Sequence, residues 1–139
     1  MRDLNYYLGQ MRKFTDQGIG VIPWSPLARG FLTGSRTRDR NGDTTRSRSD
    51  QYAHDMYYRE DDFAVVDRVV SVANERGCTP AQVALAWMLH RPGITSPIIG
   101  ASKMPHLEQA VGALEIKLTP EDITFLEEPY QPHPVLGHS

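Results

Sequence analysis

The sequence predicts an α/β chain of parallel βα units whose sheet is left open. Three observations carry that prediction. Two short apolar runs, Gly20 to Trp24 and Ser96 to Gly100, are bounded by glycine and proline, as buried strands of a parallel sheet are. Segments of helical period lie before, between and after them. Only two such runs are visible, and two parallel strands can neither bury both faces of a sheet nor satisfy its edges. Another copy of the chain, a second polypeptide or a missing N-terminal half must complete it.

Leu4, Tyr7, Leu8, Met11 and Phe14 fall on one face of a helix that Gly18 stops. The first strand follows, then a loop from Ser25 to Gly30. Residues 35–58 are expected to form a long loop, because no period persists there and Thr37 to Asp50 holds neither an aliphatic nor an aromatic residue. Loops of that length are usually functional lids or linkers. This one carries Arg36, Arg38, Arg40, Arg46 and Arg48, partly offset by Asp39, Asp43 and Asp50. It reads equally as a lid over phosphates and as a solvated segment.

Order resumes at Asp61 or Asp62, either of which can cap a helix with Phe63, Val66, Val69, Val70 and Ala73 on its apolar face. Its β-branched residues mean that packing, rather than intrinsic propensity, must hold it. Thr79-Pro80-Ala81-Gln82 has the make-up of a capping box: a hydroxyl for a free amide, a proline where no amide is needed, and a side-chain amide three residues on. Val83, Ala84, Trp87 and Met88 line that helix, and Pro92-Gly93 ends it. After the second strand, a helix start at Lys103 to Pro105 continues through Leu107, Ala110, Val111 and Leu114. Thr119-Pro120-Glu121-Asp122 announces another, with Ile123 and Leu126 on its face.

Composition bounds the function. The 139 residues, 40% hydrophobic, suffice for one apolar core but not for the roughly 250 residues of a complete eight-fold β/α barrel. A net charge of −2 gives no electrostatic footprint for nucleic acid. The single cysteine, Cys78, excludes an internal disulfide and suits a reducing compartment. No apolar run approaches a membrane span and Met1-Arg2-Asp3 does not open a signal peptide, so a cytoplasmic location is expected. The five histidines show no metal-ligand spacing. Cys78 has no neighbouring base and reads as an inert thiol. Asp61-Asp62 reads as a cap rather than an acid/base pair.

The run from Val21 to Gly34, VIPWSPLARGFLTG, resembles the seventh strand and following loop of aldo-keto reductases, in the branch similar to aryl-alcohol dehydrogenases and potassium channel β subunits. Thr79 to Trp87 resembles the helix before the eighth strand of that family, and Pro97 to Lys103 the eighth strand and the start of the adenine-side helix. Leu118 to Ile123 and Pro129-Tyr130 resemble its C-terminal end, with all blocks in family order. The resemblance implies a partial TIM (β/α)8 barrel, its C-terminal βα units with strands 7 and 8, and NADP(H) as cofactor. It implies cofactor contacts at Trp24, Ser25, Pro26, Leu27, Gly30, Leu32, Gly100, Ser102, Lys103, His106 and Gln109.

The resemblance gives each group a role. Trp24 would stack on the nicotinamide, although its residue type alone reads as barrel-mouth core. The Ser25 hydroxyl and the loop amides would surround the pyrophosphate. Ser102 and Lys103 would meet the adenosine 2′-phosphate, where the family often has serine and arginine. A lysine keeps the charge but loses the bidentate fork. His106 and Gln109 would reach adenine or phosphate, and Ala110 stands where the family usually has asparagine.

The implied reaction is hydride transfer from NADPH to a small-molecule carbonyl compound, with a tyrosine, aspartate, lysine and histidine around the carbonyl. Those four come from the N-terminal half of the family barrel, and none maps onto this chain. The alternative reading is a non-catalytic nucleotide-binding or scaffold protein built from a partial barrel.

Overall fold

A computed structural model describes residues 12–39 and 50–132. Most of the helix expected from Leu4 lies outside that range. Its end at residues 12–16 is helical, and Gly18 then turns the chain with a left-handed φ of 69°.

Five α-helices are described: α1 (Gln51–Tyr57), α2 (Glu60–Arg76), α3 (Pro80–Leu89), α4 (Met104–Gly112) and α5 (Pro120–Glu127). Tight 3-10 turns occupy Ala28–Thr33 and Ala113–Glu115. The starts of α3 and α5 follow the capping logic of their sequences. The Gln82 amide donates to Thr79 Oγ1 at 3.3 Å and the Thr79 amide to Gln82 Oε1 at 3.0 Å. The Asp122 and Thr119 pair repeats the exchange at 3.2 and 2.7 Å. In both, proline holds the first helical position, where a missing N–H costs nothing. Helix α2 starts at Glu60, before either of the expected caps Asp61 and Asp62. Arg59 stands at its N-cap, and Asp62 reaches back to accept from the Arg59 amide at 3.2 Å. Asp62 thus serves the helix end from within the first turn.

Helices α2, α3 and α5 enclose the main core: Val69, Val72 and Ala73 from α2, Val83 and Ala86 from α3, with Leu118 and Leu126. Val72 and Val83 are its largest fully buried side chains. A satellite cluster of Phe31, Phe63 and Val66 joins the first 3-10 turn to α2.

Two expectations are corrected. The segments Gly20 to Trp24 and Ser96 to Gly100 do lie parallel, but among the described residues they form no strand, only isolated bridges Val21–Ile94 and Trp24–Ile98. The sequence explains why. Pro23 and Pro97 have no amide to give a ladder. The bridge positions also fall out of step, since Val21 to Trp24 advances three residues while Ile94 to Ile98 advances four. The pair is held instead by the Val21 amide on Gly93 O (3.1 Å), the Thr95 amide on Val21 O (2.8 Å) and the Ile98 amide on Pro23 O (2.8 Å). Gly20 permits this approach: a Cβ there would come within 2.1 Å of Thr95 Oγ1.

The second correction shortens the loop expected at 35–58. Residues Gln51–Tyr57 are helical, with the Asp50 carboxylate accepting from the Ala53 amide as N-cap. A seven-residue helix is too short to display an apolar period, and the polar run before it hid the cap.

Two sets of large apolar side chains are left uncovered. Ile22, Trp24, Ile98 and Ile99 are exposed on the paired segments. Met104, Leu107, Val111 and Leu114, at helical spacing along α4 and the turn after it, are exposed as well. Helix α4 buries none of its own residues.

Because the Thr79 hydroxyl satisfies an otherwise unpaired amide at the entry to a core helix, Thr79→Ala should destabilise the chain by about 1 kcal/mol. Urea unfolding should show a lower midpoint with an unchanged slope.

Candidate cofactor site

Parallel pairing sends both segments out of the same end of the bridge. The bridge at Trp24–Ile98 therefore sets the loop from Ser25 to Gly30 beside the stretch Gly100 to Lys103. In parallel α/β architecture this carboxyl end is where ligands bind.

The first loop is tightly wound. Ser25, Ala28 and Arg29 are non-glycine residues with left-handed φ of 53°, 47° and 56°, and Gly30 follows at 86°. The turn uses several of its own amides: Ala28 N donates to Ser25 O, and Gly30 N and Leu32 N both donate to Leu27 O. Arg29 N donates to Ser25 Oγ at 3.3 Å, so that hydroxyl accepts within the loop and keeps its own proton to donate. Pro26 is buried, while Leu27, Gly30 and Leu32 are half-buried. Phe31 anchors the turn, tilted against Phe63 at 4.9 Å and edge-on to Tyr58 at 5.5 Å between ring centroids. Trp24 is 71% exposed and packs into neither apolar cluster.

The second segment is open. Gly100, Ser102, Lys103, His106 and Gln109 are all exposed. Lys103 is the N-cap of α4, with extended backbone and Pro105 in the first turn. The helix thus directs its positive dipole end toward Ser102 and Lys103. His106 and Gln109, three apart, share a helix face.

Sequence reasoning missed the ion-paired group beneath the first loop. Asp50 is 8% exposed and accepts from Arg29 Nε at 3.2 and 3.0 Å. Arg36, 4% exposed, donates through Nη2 to Asp50 at 3.1 Å and to the Arg29 carbonyl at 2.7 Å. Its other terminal nitrogen, Nη1, is buried without a hydrogen-bond partner. Burial alone would push the Asp50 carboxyl up. Hydrogen bonds from Arg29, the Ala53 amide and Arg36 outweigh it and bring the group down to about 2. The available signal was an aspartate directly before Gln-Tyr-Ala, a fitting N-cap.

Burial pushes the Cys78 thiol up, partly opposed by Arg76, as fits an inert thiol. Among the described residues no histidine, cysteine and carboxylate cluster could hold a metal, and no helix is long and apolar enough to cross a membrane. Of Arg38, Arg40, Arg46 and Arg48, only Arg38 is described; it pairs with Glu60 and Asp67 rather than reaching the first loop. An apolar cavity of about 660 Å³ is lined by Pro26 and Leu32 of the first loop with Val69, Val83, Trp87 and Leu126 among others. Neither Trp24 nor any residue between 100 and 109 lines it, so it touches the first segment and not the second.

Residues 9–131 match the profile of the Aldo/keto reductase family, and the chain belongs to that family. It is 44% identical over 120 residues to a Schizosaccharomyces pombe protein named as an aryl-alcohol dehydrogenase, an alignment covering 86% of this chain and 33% of the relative. It is 40% identical over 123 residues to the versiconal hemiacetal acetate reductase of Aspergillus parasiticus, covering 84% and 34%. Against the aldo-keto reductase dtxS3 of Metarhizium robertsii it is 36% identical over 141 residues, covering 99% and 35%. The chain spans about a third of the length of these curated relatives. Its family and its relatives' names are those of oxidoreductases.

The depressed Asp50 carboxyl fixes a pH dependence. A carboxylate with a lowered folded pKa contributes stability that is fully present above its unfolded value near 4 and is lost as pH falls through about 2. Asp50→Asn keeps a capping oxygen and removes the charge. It should cost on the order of 3 to 5 kcal/mol at neutral pH, the range for uncoupling a buried pair. Guanidinium unfolding at several pH values should show that gap constant from pH 5 to 8 and closing toward pH 2.

Proposed function

We propose that this chain is the cofactor-side, C-terminal portion of an NADP(H)-dependent carbonyl reductase, and that the residues performing the proton chemistry lie outside it. The observation that carries this reading is the parallel bridge at Trp24–Ile98, which puts an anion-sized turn and a basic helix start at one end of the pair. In the barrel implied by the family, these segments are the seventh and eighth βα units. The exposed side chains Ile22, Ile98, Ile99, Met104, Leu107 and Val111 are then the surface that the remaining units, or another copy, would cover.

The residues present fit a dinucleotide phosphate. Ser25 keeps a hydroxyl proton to donate, and Trp24 offers an uncovered ring. Ser102 and Lys103 meet an anion at the start of α4, where the helix dipole also favours negative charge. When bound, NADPH would supply a hydride to an aldehyde or ketone carbon. The chain's own residues would bind and orient it: Trp24 under the nicotinamide, Ser25 to Leu32 around the pyrophosphate, and Gly100 to Gln109 along the adenosine. None of the described tyrosines stands in the two segments, so no proton donor is assigned here.

Two measurements test this. In calorimetric titrations, Lys103→Ala should lower the ratio of NADP+ to NAD+ affinity about tenfold, as expected for losing one charge-assisted contact to the 2′-phosphate. An unchanged ratio would remove Lys103 from the site. The chain alone should consume no NADPH with a broad aldehyde and quinone panel, because a bound cofactor without a positioned acid lacks the geometry for reduction. Carbonyl-dependent turnover that persists through further purification would overturn the reading and place the acid within these 139 residues.

A further inference from the structure

We propose that Asp50 is the positioning residue of the Ser25–Gly30 turn, acting through Arg29 and Arg36 to hold residue 29 in its left-handed conformation. The inference rests on the cofactor reading above, since it concerns how that turn is kept ready for an anion.

Left-handed backbone is costly for residues with a Cβ, and such strain persists only where the surroundings over-determine it. Three non-glycine residues of this one turn adopt it: Ser25, Ala28 and Arg29. Arg29 is the one whose surroundings show how it is fixed at both ends. Its amide is tied to Ser25 Oγ at 3.3 Å. Its carbonyl accepts from Arg36 Nη2 at 2.7 Å. Its guanidinium is hydrogen-bonded through Nε to both oxygens of Asp50. Asp50 also accepts from the same Arg36 Nη2, so a single carboxylate orders the side chain of residue 29 and the cation that grips its carbonyl. Asp50 is itself seated at the start of α1 by the Ala53 amide. The chain thus spans from the turn at residue 29 to residue 50 and returns to the same carboxylate. The carboxylate stays ionised across the neutral range, so the tie does not loosen with pH there.

A residue that acts this way changes the affinity of ligands that use the turn and leaves untouched those that use only the α4 end. The test titrates the 139-residue chain with NADP+ and, separately, with adenosine 2′-monophosphate, which carries the 2′-phosphate but neither phosphate of the pyrophosphate. Asp50→Asn, which retains a capping oxygen, is expected to weaken NADP+ about tenfold and adenosine 2′-monophosphate by less than about twofold.

A second pair of variants separates backbone conformation from charge. Arg29→Gly and Arg29→Ala both delete the guanidinium, but only glycine takes a left-handed φ without cost. Arg29→Gly should stay within about threefold of the parent chain for NADP+, and Arg29→Ala should lose about tenfold. This pair decides the matter even where Asp50→Asn does not fold.

Equal losses for Arg29→Gly and Arg29→Ala would overturn the proposal, because the guanidinium would then act on the ligand directly. Equal weakening of both ligands by Asp50→Asn would also overturn it, showing a general loss of fold. A parent chain that binds neither ligand refutes the cofactor reading, and the proposal with it. A parent that binds both, with Asp50→Asn leaving both unchanged, refutes the proposal alone.

Discussion

Three backbone hydrogen bonds, Val21 to Gly93, Thr95 to Val21 and Ile98 to Pro23, are what the rest of this structure hangs on. They are few because each segment contains a proline and because the two advance out of step. Yet they fix direction, and direction is what makes a site. With the pair parallel, the turn after Trp24 and the approach to α4 leave from one end. Were the pair antiparallel, the same residues would sit at opposite ends. The close approach needs Gly20, whose missing Cβ leaves room for Thr95.

The helices play a different part. Helices α2, α3 and α5 bury a continuous core; α3 and α5 are each started by a reciprocal exchange between backbone and side chain, and α2 by a single bond from the Arg59 amide to Asp62. Helix α4 is bound to that unit mainly at its end, where Gly112 lies against Gln82 and Ala113 is buried. Its outer stripe is apolar and uncovered. Helix α4 is patterned for burial yet exposed, in a chain that spans about a third of the length of its curated relatives.

How much of this was legible follows from the range of the forces involved. The caps at Thr79 and Thr119 are exchanges within four residues, so composition at fixed offsets reveals them, and the structure keeps both. The apolar face of α2 was read from its period, with Val72 buried where Val70 had been expected. The cap of α2, expected at Asp61 or Asp62, was read two or three residues late because Asp62 works from the third helical position rather than before the helix. The strands were over-read, since an apolar run bounded by proline records the tendency to be buried but not whether a ladder can form. Asp50 was seen only as one charge among several in a polar loop. Its partners Arg29 and Arg36 lie 21 and 14 residues away, and nothing local marks two arginines as converging on one carboxylate. The candidate cofactor segments came from resemblance rather than period, and what the structure adds is their adjacency.

Pro23 and Pro97 have a consequence beyond the broken ladder. A bare strand edge is a template on which any extended peptide can build, and uncovered apolar side chains beside it make the hazard worse. Here each segment is interrupted by a residue that offers no amide, so an invading strand finds a gap wherever it tries to zip. The apolar side chains remain available to a partner shaped to fit them, whereas indiscriminate stacking is denied its backbone support. The same two prolines that keep this chain from making a proper sheet of its own therefore guard it against becoming part of the wrong one.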